Sequence, residues 1–245
     1  MTSRDAWLKV FPLDEAARAV GFLRHAWNEL AASNLSGFHA GAKEPDLTFV
    51  LAERLKDTAQ TSARLTGRWG QESLGGIVDK RTGRIARRWR TDIEYFSNRC
   101  EPRLSLIFEF KKLDELERTR TLYYSEGMSR FVTGDYGKGE PVALMVGIFT
   151  ADATACERSI REGLTQAVTV AELKMVRSKG GGLLCIPSRL FAPHAAFDTE
   201  HQRTAKKAAP HGTICISHLF LAFPLNTRKR QRGRLTRKRP EGNRE

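Results

Sequence analysis

Apolar side chains recur every three or four positions from Asp14 to Ser33. Ala17, Val20, Leu23, Trp27 and Leu30 would line one face of a helix there. A Gly-containing loop, Gly37–Lys43, follows. Pro45-Asp46 then opens a second helix reaching to about Leu65, with Leu47, Val50, Leu51 and Leu55 on one stripe and Gly67 past its end. Gly75–Asp79 reads as a short strand, Lys80–Gly83 as a turn, and Arg84–Phe96 as one long returning strand. Alternation is clearest over Arg103–Leu113, where Leu104, Leu106, Phe108 and Phe110 share one face and Ser105, Ile107, Glu109 and Lys111 the other.

Asp114–Val132 has helical spacing and is closed by Gly134, and Pro141–Phe149 is apolar enough for a buried strand. Asp152 or Thr154 can cap a long helix running to about Ser178. Gly180–Gly182 ends it and leads to a strand at Leu183–Pro187. Ser188–Pro210 keeps no consistent period and reads as a long loop with local helix, before a last strand at His211–Phe223. This order of helices and strands predicts an α/β fold with a central mixed sheet flanked by helices.

Charge changes the picture more than composition does. The 245 residues hold 41 Lys and Arg against 28 Asp and Glu, a net charge of +13, and 40% are hydrophobic, enough for a real core. Residues 228–245 alone carry nine basic side chains, Arg228, Lys229 and Arg230 first among them, against Glu241 and Glu245. A second cluster, Lys80, Arg81, Arg84, Arg87, Arg88 and Arg90, falls inside eleven residues of the body. Such density attracts polyanions. The chain divides on this basis into one α/β domain at 1–227 and a basic tail at 228–245.

Runs such as Val142–Phe149 and Leu219–Phe223 are far shorter than the roughly 20 residues a membrane span needs. The charged N-terminal segment has no apolar stretch of the kind a secretory signal carries. Cys100, Cys156, Cys185 and Cys215 form no CxxC pair and read as free thiols of a reducing compartment. A cytoplasmic protein without a membrane partner is expected.

The chemistry concentrates on two strands. Asp92 and Glu94 share one strand face, and Glu109 and Lys111 share a face of the next. If the strands are antiparallel neighbours, an aspartate, a glutamate and a lysine converge on one covered sheet surface. Carboxylates there are costly unless something pairs with them, and a divalent metal is a natural partner. Elsewhere, His194, His201 and His211 with Asp198 and Glu200 form either a second polar cluster or ordinary loop polarity. Gly180–Gly182 fails the Walker and dinucleotide spacings, and Ser73 and Ser159 lack a nucleophile-elbow context.

Asp92 followed seventeen residues on by Glu109-Phe110-Lys111 resembles the motif of the PD-(D/E)XK phosphodiesterase superfamily, which includes restriction endonucleases and Holliday-junction resolvases. The predicted order over Leu47–Phe149 is similar to that family's core of helix, three-strand meander, helix and strand. The resemblance implies a restriction-endonuclease-like fold with its motif core at about 47–149. It implies that Asp92 and Glu109 ligate Mg²⁺, for which Mn²⁺ can substitute, and that Lys111 positions or activates water and stabilises developing charge. It offers Glu53 as a further ligand on the preceding helix, and Tyr124 or Arg130 as a substrate-facing residue on the following one. Thr91 stands where the family often has Pro.

The expected activity is metal-dependent hydrolysis of DNA, with a restriction or anti-phage setting suggested by analogy. A regulatory or defence-system protein partner and a homodimer are both compatible with it. A non-catalytic nucleic-acid-binding subunit and an RNA-processing nuclease are the alternatives. The basic clusters would hold the phosphate backbone. Deleting residues 228–245 should therefore weaken DNA binding and make its salt dependence shallower, by about 0.9 in the log–log slope for each phosphate no longer neutralised. Salt titrations of both chains read this directly, and an unchanged slope rules the tail out as a DNA-binding element.

Overall fold

The computed structural model describes residues 6–33, 35–62, 64–71, 74–78, 85–90, 92–178 and 180–224. The first amphipathic stretch forms α1 (Leu13–Ala32), and the second forms α2 (Glu44–Ser62). They bury Val20, Leu23, Trp27, Leu47, Leu51 and Leu55 against one face of the sheet. Next come β1 (Arg68–Gln71), β2 (Leu74–Val78), β3 (Ile85–Arg90), β4 (Ile93–Ser97) and β5 (Leu104–Leu113). The expected long strand over Arg84–Phe96 is thus two strands in two sheets. β3 pairs with β2 in a separate two-stranded ribbon, and β4 lies between β1 and β5 in the main sheet. Asp92 directly precedes β4. Strand β1 has no counterpart in the sequence pattern, because four residues are too few to display a period.

Residues Glu117–Val132 are helical throughout but not uniform: α3 (Glu117–Leu122) and α4 (Ser129–Val132) are joined by a π-helical turn at Tyr123–Met128. Strand β6 (Val142–Phe149) is buried at every position. Asp152 caps α5 (Ala153–Leu164), its carboxylate accepting from the amides of Thr154 and Ala155. The expected long helix stops there. Gln166 is extended, a short α6 (Ala167–Glu172) follows, and the chain turns through Lys174 into β7 (Met175–Val176). After the two-residue β8 (Leu184–Cys185) comes β9 (Phe197–Gln202), inside the stretch expected to be loop, and then β10 (Thr213–Ala222).

Strand β9 escapes pattern reading because its buried side chains are polar and satisfy one another. Asp198 accepts from Ser188 Oγ (2.7 Å) and Ser217 Oγ (2.6 Å). A buried chain of hydrogen bonds runs from the Leu173 carbonyl through His201, Thr199 and His218 to the Tyr123 hydroxyl, each step 2.7–2.9 Å.

The main sheet has eight strands in the order β1-β4-β5-β6-β10-β9-β7, with β8 also on β9. The β5–β6 and β6–β10 pairs are parallel, and the others antiparallel. It is an α/β architecture, a mixed sheet flanked by helices. Leu104, Leu106, Phe108 and Phe110 of β5 face α1 and α2, whereas Ile107 faces the layer of Tyr123, Met128, Phe131 and Ile160. Cys100, Cys156, Cys185 and Cys215 are all free thiols. Among the described residues no helix is long and apolar enough to cross a membrane.

Glu15 fastens α1 to the sheet's edge. Its Oε1 accepts from the Thr66 amide (2.7 Å), the Thr66 hydroxyl (2.8 Å) and the Tyr95 hydroxyl, and Oε2 pairs with Arg18 (2.6 Å). Burial works against the charge, but these donors outweigh it and hold the carboxyl at about 2, against an ordinary 4.5. The stabilisation is therefore complete above about pH 4.5 and lost as pH falls towards 2. Glu15→Ala should cost roughly 2–3 kcal/mol at neutral pH, with the gap to wild type closing in acid, as urea denaturation across that range will show.

Candidate active site

The site begins with one carboxylate in the middle of the sheet. Strands pair with β5 on both sides, the layer of Tyr123, Met128 and Phe131 lies over this face, and Glu109 is fully buried. Its Oε1 accepts from Lys111 Nζ at 2.8 Å and from Arg130 Nη1 at 3.0 Å. Its Oε2 is buried with no hydrogen-bond partner. Lys111 also donates to the Phe110 carbonyl (2.9 Å) and lies 3.7 Å from Glu44 Oε1.

The π-helical turn sets the roof over this face. A Cβ on Gly127 would meet the tip of Met145, its Cε, at 2.4 Å, so the helix lies close on β6 here and a larger residue would have to displace that methyl. One turn further on, Arg130 reaches down from α4. It donates to the Tyr136 hydroxyl (2.8 Å) and stands 5.3 Å from the centre of that ring. The loop carrying Tyr136 is itself clamped by Arg203, whose buried guanidinium donates to the carbonyls of Phe131 (2.7 Å), Tyr136 (2.9 Å) and Gly137 (2.6 Å).

Asp92 enters from β4. Ile93 pairs with Phe108, so Asp92 stands one step further along, opposite Glu109, and its Oδ2 accepts from the Phe110 amide at 2.8 Å. Glu44, the first residue of α2, completes the group, its Oε2 accepting from the Lys112 amide at 2.6 Å. Lys112 Nζ ties the preceding loop down through the carbonyls of Ala40 and Ala42. A cavity of about 430 Å³ opens beside Glu44 and Lys111, lined also by Lys112, Asp114, Arg118 and Glu126.

These groups perturb one another. Burial, followed by the negative charge of Asp92, pushes Glu109 up from 4.5 to about 7 in spite of Lys111 and Arg130. Burial also raises Glu44, again with Asp92 adding to it. Burial opposes the charge on Lys111, yet Glu109 and Glu44 outweigh it and its pKa rises. Lys111 is a firm ammonium at neutral pH.

Asp92, Glu109 and Lys111 are thus brought together. Glu53 is not with them. It lies on the open side of α2, 48% exposed and paired with Lys56 at 2.6 Å, and the acid that α2 sends to the site is Glu44, nine residues earlier. The signal that could have found Glu44 is its spacing, in line with Leu47, Leu51 and Leu55 on the apolar stripe of α2, besides its place in the helix's first turn. Of the two candidates on the following helix, Arg130 reaches the site, while the Tyr124 hydroxyl donates to the Ile160 carbonyl. Glu94 accepts from Ser105 Oγ (3.1 Å). Lys80, Arg81, Arg84, Arg228, Lys229 and Arg230 lie outside the described residues, and Arg87, Arg88 and Arg90 are described as backbone of β3 alone.

The His, Asp and Glu residues of 194–211 do not gather into a second site. His201 is buried and held down at about 4, chiefly by burial. His211 stacks on Trp7 at 5.0 Å, and Glu200 accepts from Thr213. Among the described residues, no three His, Cys, Asp or Glu side chains are drawn together as a ready-made metal cage. In the cluster described above each carboxylate is engaged by a cation or an amide of the chain, and Glu109 Oε2 is the atom left over. Comparisons with protein-family models, curated proteins and solved structures find no match to the chain.

A carboxyl raised to about 7 destabilises its own fold once ionised. Its contribution to stability is complete below the ordinary value of 4.5 and declines as pH rises through about 7, by on the order of 3 kcal/mol. Urea denaturation near pH 5 and near pH 8 should show this slope in wild type and its loss in Glu109→Gln.

Proposed function

We propose that the chain is a metal-dependent nuclease with a restriction-endonuclease-like core, hydrolysing phosphodiester bonds in DNA. The observation that carries this reading is the buried Glu109-x-Lys111 pair opposite Asp92, with Glu109 Oε2 unpartnered. The element order supports it. Helix α2, strands β1, β4 and β5, the helical segment 117–132 and strand β6 follow one another, with the β2–β3 ribbon inserted before Asp92.

The donor set fits a hard divalent cation. Carboxylate oxygens of Asp92 and Glu109, one of them buried without a hydrogen-bond partner, are the hard donors that Mg²⁺ or Mn²⁺ takes, with water completing the shell. When bound, the ion supplies positive charge to a phosphate oxygen and acidifies water. The chain's own residues do the rest. Lys111, held as an ammonium by Glu109 and Glu44, donates hydrogen bonds to attacking water or to a phosphate oxygen and offsets the charge that builds there. It is a poor proton acceptor in this setting. In the net reaction water adds to phosphorus, the bond from phosphorus to the leaving oxygen breaks, and that oxygen takes a proton. Asp92, fixed by the Phe110 amide, keeps its carboxylate beside Glu109 without reorganisation.

A restriction or anti-phage setting, with a partner protein that restrains cutting, is consistent with the basic clusters and is part of the proposal. Supercoiled, linear and single-stranded DNA, with RNA in parallel, should be cut in Mg²⁺ or Mn²⁺ and spared in EDTA where the substrate is right. Lys111→Ala and Asp92→Ala should each lower the rate on the order of 10²–10³-fold with the fold and DNA binding kept, Lys111→Ala melting somewhat lower because buried Glu109 loses a cation. Binding without cleavage in any metal would move the assignment to a nucleic-acid-binding subunit, and cleavage confined to RNA to a processing nuclease.

A further inference from the structure

Two cations of the chain converge on a single oxygen of Glu109, and they are not equivalent. Lys111 is 13% exposed and keeps two further partners, the Phe110 carbonyl as an acceptor and the charge of Glu44 at 3.7 Å. Arg130 is 39% exposed at its side chain, whereas Glu109 is 1% exposed. Arg130 therefore spans from solvent to the buried carboxylate. Apart from Glu109, its contacts run to Tyr136, whose hydroxyl accepts from the same Nη1 and whose ring lies by the guanidinium. That second contact is a pivot. The guanidinium can leave Glu109 and keep its hold on Tyr136.

We propose that Arg130 is a phosphate-binding residue that exchanges partners, neutralising Glu109 when no divalent ion is there and turning to a backbone phosphate of the nucleic acid when one is. This rests on the metal-dependent reading above. A divalent ion at Glu109 adds two positive charges beside two existing ones, and the repulsion falls hardest on the cation with a route to water. Arg130, 39% exposed against 13% for Lys111, has the wider route, and Lys111 is held back by the Phe110 carbonyl and Glu44. A guanidinium released there finds its best alternative in phosphate, which matches its planar fork of donors. Metal and nucleic acid then favour each other's binding without touching the same donor atoms of Arg130. Coupling of this kind is reciprocal: the factor by which the ion tightens nucleic-acid binding equals the factor by which nucleic acid tightens ion binding.

The test is a sign. Ca²⁺ binding is measured by calorimetry without nucleic acid, and binding of a labelled DNA duplex by fluorescence anisotropy with and without Ca²⁺, a gel confirming that the duplex stays intact. Arg130→Gln should bind Ca²⁺ roughly fivefold tighter than wild type when nucleic acid is absent, because a competitor for Glu109 is gone. The same variant should bind the duplex more weakly, and Ca²⁺ should no longer tighten it. Arg130→Lys keeps the charge without the fork, so its Ca²⁺ affinity should stay near wild type while the coupling shrinks. That variant decides the matter if Arg130→Gln does not fold. Weaker Ca²⁺ binding in Arg130→Gln would make Arg130 a prop for Glu109 and overturn the exchange, as would coupling that persists in both variants. Absence of ion binding in wild type and in Arg130→Gln alike overturns the metal-dependent reading with it, whereas binding that Asp92→Ala abolishes leaves that reading standing on its own.

Discussion

A carboxylate in the middle of a fully covered sheet is the constraint around which this molecule is arranged. Hydrophobic burial of β5 on both faces removes water from Glu109, and an isolated charge there would be untenable. Lys111 on the same strand and Arg130 from the layer above answer it. Each of those brings requirements of its own. Lys111 needs a carbonyl and a second carboxylate about its ammonium, hence Phe110 and Glu44 at the start of α2. Arg130 needs Tyr136, and the loop of Tyr136 needs the carbonyl clamp of Arg203 from beyond β9. Residues more than seventy positions apart are thereby enlisted in holding one oxygen atom.

Much of this is readable in the chain. The alternation of Leu104, Leu106, Phe108 and Phe110 against Glu109 and Lys111 specifies a covered strand with two ionisable groups on one face, because burial enforces the two-residue period there. Asp92 can be placed opposite because an antiparallel meander leaves little choice of register. Pattern reading stops where local preference and tertiary context part. Glu44 and Glu53 lie on opposite sides of the wheel of α2, Glu44 in line with Leu47, Leu51 and Leu55, but a helix opened at Pro45 leaves Glu44 off the wheel. The change of sheet between β3 and β4 has no hydrophobic signature. The π-helical turn has none either, since it adds one residue to a helix whose apolar spacing is otherwise ordinary.

The polar interior of the C-terminal half illustrates the same limit from another side. Asp198, Thr199 and His201 are of types that ordinarily face water, yet all three are buried. Their hydrogen bonds close on Ser188, Ser217, His218 and Leu173, so β9 is stabilised by satisfied polar groups in place of apolar ones. The chain from His201 through His218 ends on Tyr123, in the π-helical turn that roofs the site. The C-terminal strands are for that reason part of the scaffold of the site, although none of the residues proposed to bind metal comes from them.

Strand order carries a consequence for how the molecule comes into being. Strand β6 is apolar along its whole length and is flanked by β5, made before it, and β10, made long after it. Ala222 emerges about 73 residues later than Phe149, which at ordinary rates of synthesis is a delay of roughly 4–15 s. Through that interval the nascent chain presents an unpaired edge of eight buried-type residues, the kind of surface on which β-strands of separate molecules join. Completion of the sheet by β10 thus falls to the last part of the described chain to be translated, and a ribosome that stalls between these strands releases a fragment that holds Asp92, Glu109 and Lys111 with its most adhesive edge uncovered.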